Sequence, residues 1–353
     1  MVAVINSGSS SIKCSLFEKE KCIEHFVYEE IKSHHETLQE LLKQIKIDRL
    51  ECVVHRVVHG GDYFVKPTVM DRENLEELKK FIPLAPLHNP ANIEAIGYFL
   101  DYYPAIAQIA VFDTAFHDTM PEYAKKYAID QEVSNKHHIK KYGFHGSSHA
   151  YLTKEAASLL KKERPSLITL HLGNGASICA VHEGKSIDTS MGFTPLEGLV
   201  MGTRSGDIDP GVIFYLMQTT GMDATEIEIL LNKRSGLYGV CGKSDLREIL
   251  KCDDPSCHLA IEMMVYRIKK YIGAYMAILP QIDAIVFSGG IGEHSSEIRQ
   301  KVLSGMEKFG ILTDFEANEA GKCIISKKQS TVKVYVIQTD EELEMVRSAR
   351  KVL

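Results

Sequence analysis

A repeated outline constrains this chain more than any other feature. Val2–Ile5 is a short apolar run, Asn6-Ser-Gly-Ser-Ser-Ser11 turns it, and Ile12–Phe17 alternates like a returning strand. About half a chain later, Leu167–Leu172, Gly173-Asn-Gly175 and Ala176–Val181 draw the same outline again. Two strand–glycine turn–strand units in one chain imply a duplicated architecture. A third strand runs into glycines at Asp283-Ala-Ile-Val-Phe-Ser-Gly-Gly-Ile-Gly292, and helical spacing follows from Ser295. Further strands are predicted at Cys52–Val58, Ile106–Phe112 and Val332–Ile337. Helices are predicted at Asn74–Phe81, Asn92–Tyr102, Ser148–Lys161, Pro210–Thr219 and Ser256–Ile278. Alternating strands and helices indicate α/β layering. The 353 residues suit two domains at ~150 residues each. No linker-like stretch parts them, so a cleft lined by strand ends is expected.

Composition removes several function classes. Lys+Arg 41 against Asp+Glu 47 leaves a net charge of −6 with no charged block, which argues against a nucleic-acid groove working by bulk charge. No apolar run approaches the ~20 residues that span a bilayer, and no signal peptide is read at Met1–Asn6. The eight cysteines are scattered. Cys252 and Cys257 with His258 hint at a metal, but no second ligand pair follows. Reduced thiols in a cytosolic protein are therefore the expectation.

The turn Asn6–Ser11 has two readings of equal weight, a plain hairpin turn or a cradle of backbone N–H groups for phosphate, with Lys13 adding a charge. It lacks the spacing of a Walker A loop. His171-Leu-Gly-Asn-Gly175 repeats the situation, and Gly289-Gly-Ile-Gly-Glu293 lets backbone approach a flat ligand closely. Three such junctions at strand ends favour a nucleotide. Arg56 stands near the end of an apolar strand, Arg204 in the glycine-flanked Met201–Asp207 loop, and His145 just before a helix. An arginine amid apolar neighbours is more often a core-edge ion pair than a catalytic group, but three cations among glycines suit an anion and a transferring phosphoryl group. Asp113 ends a buried strand and competes with a role as a cap, as does Asp245. Thr339 and Glu342 fit a capping box that leaves Glu341 available. The His34-His35 and His137-His138 pairs read as solvated surface.

The ordered set Asn-x-Gly-Ser-Ser-Ser-x-Lys, His-Arg-Val-Val-His-Gly-Gly, Pro-Leu-His-Asn-Pro, Phe-Asp-Thr-Ala-Phe-His, Tyr-Gly-Phe-His-Gly, His-Leu-Gly-Asn-Gly, Met-Gly-Thr-Arg-Ser-Gly-Asp and Gly-Gly-Ile-Gly-Glu closely resembles the bacterial acetate kinases, from Val2 to the final helix. The resemblance implies an α/β fold of two ribonuclease-H-like (actin-like ATPase) domains with a cleft between them. Residues 1–114, completed by a C-terminal helix 343–353, would form one domain and 115–342 the nucleotide-binding other. It implies phosphoryl transfer from ATP to acetate, giving ADP and acetyl phosphate, with Mg²⁺ (Mn²⁺ as substitute), in a cytoplasmic homodimer with no nucleic-acid or membrane partner.

By motif match, Asn6 and Glu341 correspond to magnesium-associated positions and Lys13 to a phosphate contact. Arg56 corresponds to the carboxylate-binding arginine, and Val58, Leu87, Phe144 and Pro195 to the pocket for the methyl group. Asp113 corresponds to the catalytic acidic residue, which is better read as orienting an arginine or a metal-bound water than as a proton acceptor. His145 and Arg204 correspond to transition-state stabilisers. His171, Leu172, Gly173, Asn174 and Gly175 correspond to nucleotide contacts, as do Asp245, Leu246 and Arg247, and Gly290, Ile291, Gly292, Glu293 and His294.

The chain is several tens of residues shorter than most of these relatives. Gln338 replaces the usual proline before the last helix, Gly242-Lys-Ser-Asp245 is one residue short, and Asp130–Ser134 departs from the usual aromatic-proline pattern. The competing readings are a propionate or butyrate kinase, and a non-catalytic ATPase switch of the actin or heat-shock type.

Overall fold

The computed structural model describes residues 1–353. The chain divides into two compact units. One comprises Met1–Asp118, Phe144–Tyr151 and Asp340–Leu353, the other Thr119–Gly143 and Leu152–Thr339. The first therefore runs past Thr114 and takes in Phe144–Tyr151 as well as the last helix, Glu341–Ala349.

Each unit is built on one sheet. The first holds β1 (Val2–Ser7), β2 (Ser11–Glu18), β3 (Lys21–Glu29), β4 (Cys52–Val57), β5 (Thr68–Met70) and β6 (Ala107–Phe112), in the order β3-β2-β1-β4-β6-β5. The second holds β7 (Leu167–Leu172), β8 (Ala176–His182), β9 (Lys185–Thr189), β10 (Ala284–Ser288) and β11 (Lys333–Val336), in the order β11-β10-β7-β8-β9. In both sheets an antiparallel meander leads into parallel strands. β3-β2-β1-β4-β6 has the same connectivity and pairing sense as β9-β8-β7-β10-β11. The duplicated outline of the sequence is thus a duplicated ribonuclease-H-like sheet.

The strands that read as continuous apolar runs do so because both faces are covered. On β1, Ala3 and Ile5 pack with Leu38, Leu41, Ala95 and Phe99 of the helices His34–Gln44 and Asn89–Tyr102. Val2 and Val4 face the other way, onto Met345, Val346 and Ala349 of the last helix. In the second unit, Ala260, Ile261, Met264, Ile268, Ile272 and Tyr275 recur at helical spacing and bury one stripe of the helix Pro255–Ile278.

Sequence reading missed β3, β5, β9 and the helices His34–Gln44 and Ala224–Lys233. β3 is an edge strand exposed along most of its length, so it carries no alternation to read. One cysteine expectation fails: Cys252 and Cys257 are joined in a disulfide. Their five-residue separation brackets the start of the helix Pro255–Ile278, which brings the two sulfurs together. The other six are free thiols.

His55, beneath the helix Asn89–Tyr102, is 1% exposed and shares a 2.8 Å hydrogen bond with Gln108. Burial lowers its pKa from 6.5 to about 4, so the folded ring stays neutral while the unfolded one takes a proton. This residue's contribution is present in full above pH 6.5 and is lost as pH falls toward 4, roughly 3 kcal/mol in all. Urea unfolding across that window should show a shallower pH slope in His55→Gln than in the parent.

Candidate active site

In the first unit β1, β4 and β6 run parallel and end side by side, and ligands of such sheets bind beyond carboxyl ends. Asn6 lies directly across the β1–β2 pair from Lys13, which puts the amide and the ammonium on one face of the hairpin. The turn beyond them closes with Gly8 N–H donating to Ser11 O at 2.8 Å.

At the end of β6, Asp113 N–H donates to Val57 O at 3.0 Å. Its carboxylate receives Arg56 Nε on both oxygens at 3.1 Å and Nη2 at 2.7 Å. The Asp113 side chain is 3% exposed and that of Arg56 25%, so the pair is anchored on its acidic side. The carboxylate beside it holds Arg56 protonated well above the ordinary guanidinium range, and Glu341 adds to the effect. Glu341 opens the last helix. The expected capping box is absent, because Asp340 is the cap, accepting from Leu343 N–H at 2.8 Å.

Two asparagines of the helix Asn89–Tyr102 shape the neighbouring turn. Asn92 accepts from Val58 N–H at 3.2 Å and donates to Ser7 O at 2.7 Å, which ties the ends of β4 and β1 together. Asn89 accepts from His59 N–H at 3.2 Å and donates to His59 O at 3.0 Å. Phe144 is buried and Leu87 exposed. His145 has φ +57°, a left-handed backbone that is costly for a residue with a side chain. It is held there because Gly146 N–H donates to Asp113 O at 2.8 Å, and a Cβ on Gly146 would lie 2.2 Å from that oxygen. Only glycine lets the helix Gly146–Leu160 start so close to Asp113.

In the second unit, a cleft of about 680 Å³ is lined by Gly173, Asn174, Asp245, Leu246, Arg247, Gly290, Ile291 and His294. Gly289 (φ +75°) makes the turn after β10, where a Cβ would meet the Leu172 backbone at 2.7 Å. Leu172 and Ala176 line a smaller recess next to it. His171 lies in β7 opposite Ser177 of β8 and Ser288 of β10, and Gly175 O closes the turn by accepting from Gly173 N–H at 3.1 Å.

Asp245 is indeed a cap, accepting from Arg247 N–H at 2.8 Å, and it also chelates the Arg247 guanidinium. That hydrogen-bonded guanidinium lowers the Asp245 pKa to about 2. Gly292 and Glu293 turn inward. Glu293 Oε1 accepts from Ser288 Oγ, Gly289 N–H and Thr339 N–H at 2.9–3.2 Å, so its carboxylate braces the loop.

Arg204 stands in a loop clasped at its base. Asp207 N–H donates to Gly198 O, Gly198 N–H donates to Asp207 Oδ1, and Arg267 and Tyr271 grip the same two residues. The guanidinium donates to Pro195 O at 3.2 Å and faces the Met201 sulfur at 3.8 Å. It has no carboxylate partner, and burial pulls its pKa down. Gly202 N–H donates to Asn174 O at 3.3 Å, which joins this loop to the cleft's glycine turn.

A family model described as the acetokinase family matches residues 23–347. The chain belongs to the acetokinase family. An acetate kinase of Sulfurovum sp. (strain NBC37-1) is 48% identical over 390 aligned positions, covering 100% of this chain and 98% of that one. One from Streptomyces coelicolor is 44% identical, covering 98% and 95%. Among solved structures, Porphyromonas gingivalis acetate kinase superposes with TM-score 0.94 at 40% identity, covering 99% of each chain. A propionate kinase from Francisella tularensis gives 0.93 at 41%, covering 100% and 99%. An alignment of 390 positions against 353 residues leaves this acetokinase shorter by gaps within the chain.

Several residues that shape the candidate site escaped sequence reading. Ser244, Leu250 and Ser295 line the cleft beside the expected residues. Asn89 and Asn92 carried a signal, since two poor helix formers so close together ask for a reason. Arg299 carried none: it is 1% exposed and donates to Gly292 O and Glu293 O at 2.8 Å and to Asn318, contacts that only the fold reveals.

Proposed function

We infer that this chain is an acetate kinase, transferring the γ-phosphoryl group of ATP reversibly to acetate to give ADP and acetyl phosphate. The observation that carries the reading is Arg204. A part-buried cation without a counter-ion lies in a loop bonded to the turn that lines the nucleotide cleft, and an uncompensated charge in such a place is built for an incoming anion.

The chemistry asks little else of the protein. Acetate is ionised at neutral pH, so an oxygen lone pair attacks phosphorus while the bond to the β-phosphate oxygen breaks, and no proton changes hands. The barrier is the meeting of two anions. The first unit supplies Arg56 for the carboxylate, and Asp113, with both oxygens committed to that arginine, orients it rather than taking a proton. Val58, Leu87, Phe144 and Pro195 receive the methyl group. Arg204 and His145 stabilise the charge that spreads over the equatorial oxygens. The second unit's cleft takes the nucleotide.

The donor set fits magnesium. Asn6 and Glu341, both in the first unit, would hold the ion through hard oxygen atoms. When bound it would neutralise phosphate charge.

The helix Gly211–Thr220 supports a homodimer. It has no buried residue and presents Val212, Phe214, Tyr215 and Met217 to solvent, an apolar face of the kind a second copy covers. Phe214→Asp combined with Tyr215→Ser should move the protein to monomer mass in sedimentation equilibrium. A cytoplasmic site of action is proposed from the need for ATP, since the Cys252–Cys257 disulfide removes the argument from free thiols. No helix is long and apolar enough to cross a membrane.

The assay is trapping of acyl phosphate with hydroxylamine, given ATP, Mg²⁺ and acetate, propionate or butyrate. Strongest turnover with acetate supports the reading. Propionate should also react, because one methylene is worth only ~1–3 kcal/mol. ATP binding without product from any acid would replace this reading with the ATPase switch.

A further inference from the structure

His34, which sequence reading assigns to solvated surface, lies behind the Asn6–Ser11 turn. Its side chain is 13% exposed. Nε2 donates to Gly8 O at 2.7 Å, and Nδ1 faces Glu94 Oε2 of the helix Asn89–Tyr102 at 3.5 Å, an ion pair when the ring carries its second proton. The residue is the first of the helix His34–Gln44, after the cap Ser33, where a cation opposes the helix dipole. A second tether lies alongside, with Ile31 N–H donating to Ser10 O at 3.1 Å.

The consequence follows from peptide geometry. The chain has no cis peptide bond, and in a trans peptide plane the carbonyl and the following N–H point in opposite directions. Pinning the Gly8 carbonyl inward on His34 therefore aims the Ser9 N–H outward. Ser9 is exposed, and nothing within the protein accepts that N–H.

We propose that His34 is a positioning residue of the phosphate turn: by holding the Gly8 carbonyl, it presents the Ser9 N–H to a phosphate oxygen of the nucleotide. The proposal rests on the kinase reading above and adds to it a residue remote from the reacting atoms. Without the brace the Gly8–Ser9 peptide is free to rotate, and the turn must be ordered anew each time ATP binds.

The test compares His34→Leu, which removes the donor, with His34→Gln, whose amide nitrogen reaches the place of Nε2. Both variants are checked for an unchanged melting temperature. His34→Leu should lower kcat/KM for ATP about tenfold, the worth of one hydrogen bond near a charged group, and leave KM for acetate unchanged. His34→Gln should recover most of the loss. ATP affinity by calorimetry should follow the same order, a readout independent of turnover. An unaltered kcat/KM and affinity in His34→Leu would overturn the brace, as would equal losses in the two variants. If the parent forms no acyl phosphate yet ATP affinity falls in His34→Leu, the kinase reading fails and the brace stands.

Discussion

Arg204→Ala is expected to lower kcat for acyl phosphate formation by about 10²–10³-fold, the usual loss when one donor to a developing oxyanion is removed. Its ground-state partners are only Pro195 O and the Met201 sulfur, so truncation breaks no ion pair and leaves no buried carboxylate behind. ATP affinity by calorimetry and the unfolding midpoint should therefore stay close to the parent's. The loop is held from its base by Asp207, Arg267 and Tyr271, and keeps its course without the Arg204 side chain. Arg204→Lys should recover little, because a point charge does not reproduce the planar fork. A loss shared equally between kcat and ATP affinity would assign Arg204 to nucleotide binding instead.

Arg56→Ala should behave in the opposite manner, damaging stability and activity together. Asp113 is held by backbone at its N–H and by Arg56 at both carboxylate oxygens, with a side chain 3% exposed. Removing the guanidinium strands that charge, which costs about 3–5 kcal/mol when a buried pair is broken from one side. The double variant Arg56→Ala/Asp113→Ala should regain most of the lost stability in urea unfolding, since neither charge remains, while acetate turnover stays lost. Equal stability of the single and double variants would show that the cost does not lie in the stranded carboxylate.

Both expectations draw on residues legible in the sequence. Arg56, Arg204, Asp113 and His145 stood out because a charged group among glycines or at the end of an apolar strand needs a reason. The glycine junctions after β1, β7 and β10 were legible as the ends of those strands, since turn chemistry and strand periodicity are local. Less legible were residues whose role depends on what lies across from them. Glu293 was expected in a nucleotide-contacting segment, and its Oε1 also accepts from Ser288 Oγ and from two backbone N–H groups. His34 was expected in solvent and instead holds a turn twenty-six residues away. Arg299 offered no pattern at all.

What the sequence by itself determined is the repeated strand–turn–strand unit, the α/β class, the family and the chemical types at the site. Each is written in short-range periodicity or in motifs that persist without reference to partners. The tertiary structure alone decided that Asp113 spends its carboxylate on Arg56, that Arg204 keeps an unpaired charge, and that Cys252 and Cys257 join. It also decided that His145 sits in a left-handed backbone against Gly146. The physical reason is the same throughout. Whether a polar group is paired, stranded or strained depends on atoms brought close by burial from distant parts of the chain, and no local pattern encodes that distance.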